Sequence, residues 1–168
     1  GEEEINWGSD SERTTGLIVS ILVIQLVAIL GASLTAKASE KFGNVKTLIA
    51  LNSLWIVICI YAYFVITPTD FYIAAGCVGM VMGGIQALSR STYSKFIPDT
   101  IDTTSFFSFY DVSEKIGIVI GTFMYGFIAQ LTGSMRNAII FLGLFFLIGA
   151  FLLTRVHKKR LSGKAAFF

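Results

Sequence analysis

The amino-acid sequence predicts an all-α fold, a polytopic membrane bundle of five transmembrane helices, on three observations. Hydrophobic residues make up 54% of the 168 residues and charged residues 14%, whereas soluble domains carry about 25% charged residues. A membrane span needs about 20 mainly apolar residues, and five stretches qualify, at 15–36, 47–66, 71–88, 106–131 and 137–153. An open sheet would leave backbone groups unpaired in lipid and a barrel would alternate in polarity, so all five are predicted to be helices.

The segments outside these helices are short and polar. We expect an extracytoplasmic polar stretch at 1–13, the transmembrane domain at 14–156 and a basic cytoplasmic tail at 157–168. The first ten residues, GEEEINWGSD, lack the basic start and short apolar core of a signal peptide. Because the chain starts with Gly1 and not with Met, we expect it to be a fragment of a longer protein.

The lysine and arginine residues predict the orientation in the membrane. The first connection carries Lys37, Lys41 and Lys46, and the third carries Arg90 and Lys95. The segment after the fifth apolar stretch adds Arg155 and four more basic residues in the tail, whereas the second connection has none and the fourth has one. Since basic connections stay in the cytoplasm, we predict an integral multi-pass protein of the cytoplasmic membrane, with the N-terminus outside and the C-terminus inside.

Small residues recur every four positions in three of the helices and predict which helices pack closely. The second and fifth helices lack such stripes and are bulky, so we predict that they face lipid while the first, third and fourth are inner helices. The alternative is that glycine is simply common in membrane helices. The stripes consist of Ala28, Ala32 and Ala36 in the first helix, Ala75, Gly79, Gly83 and Ala87 in the third, and Ser113, Gly117 and Gly121 in the fourth.

Charged residues lie within the third and fourth helices, near their shared connection. Asp111 and Lys115 are four apart with Glu114 beside them, and Gln86 and Arg90 are also four apart, so each pair shares a helix face. Charges at membrane depth are costly and usually face a cavity or a partner. We interpret the group as a cytoplasmic gate, a substrate contact or a proton relay. The alternative is that the bases extend to lipid headgroups while the acids are merely interfacial.

The sequence predicts no enzyme, cofactor, metal ion or nucleic-acid partner. The single histidine, His157, lies in the tail, and H-E-x-x-H, GxSxG, Walker A and GxGxxG motifs are absent. Cys59 and Cys77 lie in apolar stretches without metal-ligand spacing. The net charge of +2 is too small to indicate nucleic acid. Two function classes remain, a transporter and a structural or oligomerising membrane protein.

The first connection, AKASEKFGNVK at 36–46, resembles the loop signature of the major facilitator superfamily. Glu40, Lys41, Gly43 and Lys46 match the acid, base, glycine and second base of that signature, with Lys41 where arginine is usual. Ala36 stands where glycine is usual. The resemblance implies that this connection latches one conformational state of a transporter.

A second resemblance covers about 14–156 and is more specific. GGIQALSRSTYSKFIPD, SFFSFYDVSEKIG and GFIAQLTGSMR resemble the vacuole effluxer-like branch of the superfamily, which is related to an autophagy protein that exports amino acids from the yeast vacuole. In this family, asparagine often stands where Asp111 stands here.

The vacuole effluxer resemblance implies that the five helices are the eighth to twelfth of twelve, most of the C-terminal six-helix half, and that seven helices are missing. It implies transport of a small solute such as an amino acid, with a proton as one candidate coupling ion, across a bacterial cytoplasmic membrane. Two halves built of inverted repeats would rock about a central site. The pathway or its inner gate would be lined by Gln86, Arg90, Asp111, Glu114 and Lys115.

Overall fold

Five long helices make up nearly all of the chain, which confirms the predicted all-α bundle. The computed structural model describes residues 5–99 and 101–165, with side chains as far as residue 156. Each helix is long and apolar enough to cross a membrane. The side chains of the predicted tail at 157–168 lie outside the described residues. The helices are α1 (Asp10–Phe42), α2 (Asn44–Phe64), α3 (Pro68–Ser94), α4 (Thr103–Thr132) and α5 (Met135–Ala165).

The helices extend well beyond the apolar stretches. The first connection is predicted over about ten residues, yet α1 continues to Phe42 and only Gly43 separates it from α2. Gly43 has φ +87°, a backbone conformation that glycine adopts without steric cost. Its N–H donates to the Ser39 carbonyl and its carbonyl accepts from the Thr47 N–H. Hydropathy marks only the lipid-immersed part of a helix, because lysine, glutamate and alanine continue a helix into water.

Side chains at the N-termini of three helices satisfy backbone N–H groups that the first turn leaves unpaired. Ser9 accepts from the Glu12 N–H before α1, and Thr67 accepts from the Asp70 N–H before α3. Asp102 accepts from the Ser105 N–H at 3.2 Å before α4. The start of each of these helices is therefore determined by local sequence.

Backbone contact between α1 and α3 forms the tightest interface of the bundle. A Cβ atom added at Gly31 would lie 2.0 Å from the Met80 carbonyl oxygen, and one added at Gly83 would lie 2.1 Å from the Ala28 carbonyl oxygen. One added at Gly79 would likewise meet the α1 backbone at 2.6 Å. Gly31 of α1 and the two glycines of the α3 stripe therefore let the two backbones touch. Ala32 is half-buried on α1.

Helix α2 contacts α1, α3 and α5, while Leu54, Val57 and Phe64 of the same helix are exposed. That the second and fifth helices face lipid stays a prediction. Trp55 of α2 stacks on Phe146 of α5 with ring centroids 4.9 Å apart. Cys59 is buried at the same interface, with Gly143 beside it. Bulk by itself does not tell the two kinds of surface apart, because side chains facing lipid and side chains facing another helix are both apolar in a membrane.

Among the described helices, the backbone of α4 comes close to that of α5 alone. None of its residues is buried. A Cβ atom added at Gly117 or Gly121 would meet no heavy atom within 4 Å. No described helix of this chain therefore covers the small-residue stripe of α4, and its role as an inner helix stays a prediction.

The segment before α1 packs across the C-terminal end of α2 and the N-terminal part of α3. Ile5 is buried in a small apolar cluster with Val65 and Ala74, and the Asn6 N–H donates to the Ile66 carbonyl at 3.1 Å. Part of the polar stretch predicted at 1–13 is therefore fixed to the bundle; residues 1–4 lie outside the described residues.

Candidate functional site

An ion pair joins α3 to α4 at one end of the bundle. The guanidinium of Arg90 donates a hydrogen bond to the carboxylate of Asp111. We call this the basic end of the bundle, because Lys41, Lys46 and Lys95 lie there, where α1 and α3 end and α2 and α4 begin. The sequence places Arg90 and Asp111 in the third and fourth helices near their shared connection, and the structure brings the two side chains into contact.

The backbones of α3 and α4 do not approach each other where the ion pair forms. In the described residues, no Cα atom of α3 lies within 8 Å of a Cα atom of α4. We call this gap, bounded by Arg90 and Asp111, the α3–α4 seam. Both side chains are about half exposed, at 56% and 49%, so the ion pair crosses the seam within reach of solvent. A contact of this kind can break and re-form without repacking a helix interface.

Two tyrosines also cross the seam, and sequence analysis did not find them. The Tyr110 hydroxyl on α4 donates to the Ser89 hydroxyl oxygen on α3 at 3.1 Å. In the reverse direction, the Tyr93 hydroxyl on α3 donates to the Phe106 carbonyl on α4 at 3.0 Å. A tyrosine is amphipathic and is ordinary near a membrane surface, so only their positions beside Arg90 and Asp111 could have pointed to a role.

The other three charged or polar residues predicted for the site do not join the ion pair. Gln86, Glu114 and Lys115 are exposed and form no hydrogen bond or ion pair with the residues that the structure describes. Lys115 and Asp111 line one end of an apolar groove of about 400 Å³ along α4. The remaining lining consists of Val112, Ile116, Val119 and Ile120.

The predicted latch residues lie at the corner between α1 and α2. Glu40, Lys41 and Lys46 are exposed. The ammonium of Lys41 lies 5.3 Å from the ring centroid of Phe42, which fits a cation–π contact. Neither Glu40 nor Lys46 pairs with a side chain in the described part of the chain, so these charges are available to a partner outside it.

Asn44, which sequence analysis did not single out, ties that corner to the end of α3. Its side-chain amide donates to the Thr92 hydroxyl at 3.2 Å, and its carbonyl oxygen accepts from the Lys95 ammonium at 3.1 Å. The buried Thr92 hydroxyl in turn donates to the Leu88 carbonyl. The α1–α2 corner and the end of α3 therefore form one connected body next to the seam.

The first turn of α4 is held by Asp102, which lies outside the membrane-spanning segment. Its carboxylate accepts from both the hydroxyl and the backbone N–H of Ser105. These two hydrogen bonds stabilise the charged form and hold the pKa of Asp102 below its ordinary value. The start of the helix that carries Tyr110 and Asp111 is thereby fixed in place.

Comparisons with known proteins agree with the membrane architecture. The profile of the family described as "Vacuole effluxer Atg22 like" matches residues 1–166. The chain is 34% identical over 155 residues to the uncharacterized MFS-type transporter YxiO of Bacillus subtilis, covering 92% of this chain and 36% of that protein. It is 28% identical over 155 residues to autophagy-related protein 22 of Yarrowia lipolytica, covering 86% of this chain and 26% of that protein.

A more local match is to autophagy-related protein 22 of Eremothecium gossypii, which is 38% identical over 78 residues, covering 46% of this chain and 15% of that protein. No solved structure matches the chain significantly. The chain thus spans between about a quarter and about a third of the length of these two longer-matching curated relatives. With its five membrane-spanning helices, it is an integral multi-pass membrane protein and belongs to the Atg22-like vacuole effluxer family of major facilitator transporters.

Proposed function

We propose that the chain forms part of a transporter that moves a small solute across a membrane by alternating access. Membership of a transporter family supports this. Because the chain spans 36% of YxiO, the remaining helices of the same protein are proposed to supply the other half of the transporter. The five helices then correspond to the eighth to twelfth of twelve, and two bodies rock about a site between them.

The ion pair between Arg90 and Asp111 is the observation that carries the proposed gate. It connects two helices whose backbones stay apart, so it closes the α3–α4 seam when formed and opens it when broken. Half-exposed ion pairs contribute about 0.2–1 kcal/mol, which suits a contact that must break in every cycle. Gln86, Glu114 and Lys115 are assigned to the pathway beside it.

The basic end is assigned to the cytoplasm of a bacterial cell, with the N-terminus outside. Lysines from three helices at this end support that orientation. Glu40, Lys41, Gly43 and Lys46 are assigned to a latch that contacts the other half of the transporter when the cytoplasmic side is closed. The exposure of the charged members supports this assignment.

The proposed solute is an amino acid, and the proposed direction of transport is efflux. The family description names an effluxer, and the guanidinium of Arg90 and the ammonium of Lys115 are suited to binding a carboxylate. A proton is the proposed coupling ion.

The test is uptake of labelled amino acids by the complete transporter, reconstituted in liposomes at several pH values. Arg90→Asp and Asp111→Arg should each abolish most of the flux, since each places like charges across the seam. The double variant should recover part of it, because the ion pair re-forms in the opposite sense. The matched control is the exposed pair Arg13–Asp10 on α1, whose atoms are 3.4 Å apart and whose charge exchange should leave the flux unchanged.

Two results would overturn the gate. One is a flux in the single charge-reversal variants that equals the wild-type flux. The other is a double variant that is no better than either single variant, since the residues would then act separately. A flux that does not depend on pH would remove the proposed proton coupling.

The open surface of α4 favours a second candidate function, an oligomerising membrane protein. No residue of this helix is buried, although an apolar face and a small-residue stripe run along it. Cross-linking of cysteines placed at Gly117 between two copies, together with an absence of flux in the complete protein, would support this second function. Flux without such cross-linking would exclude it.

A further inference from the structure

Hydrogen bonds cross the α3–α4 seam in both directions. Tyr110 projects from α4 and donates to Ser89 at 3.1 Å, whereas Tyr93 projects from α3 and donates to the Phe106 carbonyl at 3.0 Å. Each helix therefore contributes a rigid side chain whose polar tip binds the other helix. Since the two backbones stay apart, these tips and the Arg90–Asp111 pair provide the described hydrogen bonds between α3 and α4.

Tyr110 contacts the ion pair as well as Ser89. The guanidinium carbon of Arg90 lies 5.7 Å from the centroid of the Tyr110 ring, within the range of a cation–π contact. Tyr110 also directly precedes Asp111, the partner of Arg90. Its ring therefore restricts the long, flexible arginine to the rotamers that reach Asp111.

We infer that Tyr110 is a positioning residue of the seam, which holds Arg90 over Asp111 while its hydroxyl anchors α4 to Ser89. Tyr93 supports this arrangement, because its ring lies 5.0 Å from that of Tyr110. The ion pair and the two tyrosines then form and separate as one unit. The role of this unit in transport rests on the proposed function, whereas closure of the seam is a property that can be measured without a substrate.

The test measures the distance across the seam in the complete chain, reconstituted in lipid nanodiscs. Nitroxide labels are placed at Ser91 on α3 and Ser108 on α4, in a background in which Cys59 and Cys77 are replaced by alanine. Electron paramagnetic resonance then reports the ratio of separated to closed seams. Circular dichroism verifies that each variant retains its helices.

Tyr110→Phe removes the hydroxyl and keeps the ring, so the ratio of separated to closed seams should rise about threefold, the equivalent of one interhelical hydrogen bond of ~0.6 kcal/mol. Ser89→Ala is the matched control, because it removes the same hydrogen bond from the other side and should give the same ratio. The double variant should add nothing further. Tyr110→Leu also removes the cation–π contact, and the ratio should rise about tenfold.

A Tyr110→Leu variant that is folded and keeps the wild-type ratio would overturn the inference. If that variant does not fold, Tyr110→Phe and Ser89→Ala still test the inference. It is overturned if the ratios of separated to closed seams in these two variants are unequal. The proposed function fails separately: an absence of flux in the complete wild-type transporter would refute transport, while the shifts in the seam would still establish the positioning role of Tyr110.

Discussion

The third helix has two neighbours that it contacts in opposite ways. Toward α1 it presents Gly79 and Gly83, and the backbones touch so closely that an added Cβ atom would overlap a carbonyl oxygen. Toward α4 it presents Arg90 and Tyr93, and only side chains bridge the two helices. The first interface has no room to adjust and fixes two helices as one body. The second depends on a few side chains, which is the arrangement that the proposed gate requires.

The largest expected effect is on the α1–α3 interface. Gly83→Leu should lower the free energy of unfolding by about 3 kcal/mol, because the new side chain must displace the α1 backbone. Unfolding of the chain in mixed micelles with increasing denaturing detergent measures this. Gly117→Leu is the matched control on α4, where nothing lies within 4 Å, and its effect should stay within about 0.5 kcal/mol. Equal losses in the two variants would refute the contrast between the interfaces.

A smaller effect is expected at the corner that joins the latch to α3. Asn44→Ala removes hydrogen bonds to Thr92 and Lys95 and should lower the unfolding free energy by about 1 kcal/mol, since each is worth about 0.6 kcal/mol in a membrane protein. The same detergent titration measures it. Lys46→Ala, which removes an exposed charge nearby, should leave stability unchanged. A larger loss in Lys46→Ala than in Asn44→Ala would show that the corner is held by another contact.

Breaking the ion pair across the seam should change the free energy of unfolding little but should change local hydrogen exchange clearly. Arg90→Ala should lower the free energy of unfolding by about 0.5 kcal/mol, which is the typical contribution of a half-exposed ion pair. Hydrogen exchange should become faster in the first turns of α4 and remain unchanged in α1. If exchange in α1 increased as much as in α4, the two sides of α3 would not behave as separate interfaces.

The smallest effect concerns the start of α4. The pKa of Asp102 is lowered by its hydrogen bonds to Ser105, so its contribution to helix stability is complete above the ordinary pKa of 3.8. That contribution is lost as the pH falls through the lowered value in the folded chain. The protection factors of the amides in the first turn of α4, corrected for the intrinsic pH dependence of exchange, should therefore fall on acidification, and Asp102→Asn should show little of this fall. Identical pH profiles for wild type and variant would refute the assignment.

The sequence grouped Arg90 and Asp111 with Gln86, Glu114 and Lys115 but did not single out their ion pair or its surroundings. Arg90 and Asp111 were placed at one depth because their helices share a short connection, which is a constraint along the chain. Tyr93 and Tyr110 were not found, because a tyrosine near a membrane surface is ordinary and its partners are unrelated to it in sequence. Asn44 was missed for the same reason, since Lys95 lies about fifty positions away.

Composition and hydropathy alone determined that the chain is an α-helical membrane protein with five spans. The reason is that few structures satisfy all the hydrogen bonds of the backbone within lipid. The spacing of small residues further marked two helices that touch, since only residues without bulk permit backbone contact. Tertiary structure decided which helices are neighbours, because lipid-facing and helix-facing side chains are equally apolar. It also decided that α4 meets α3 through side chains alone, a gap that the order of residues along the chain does not specify.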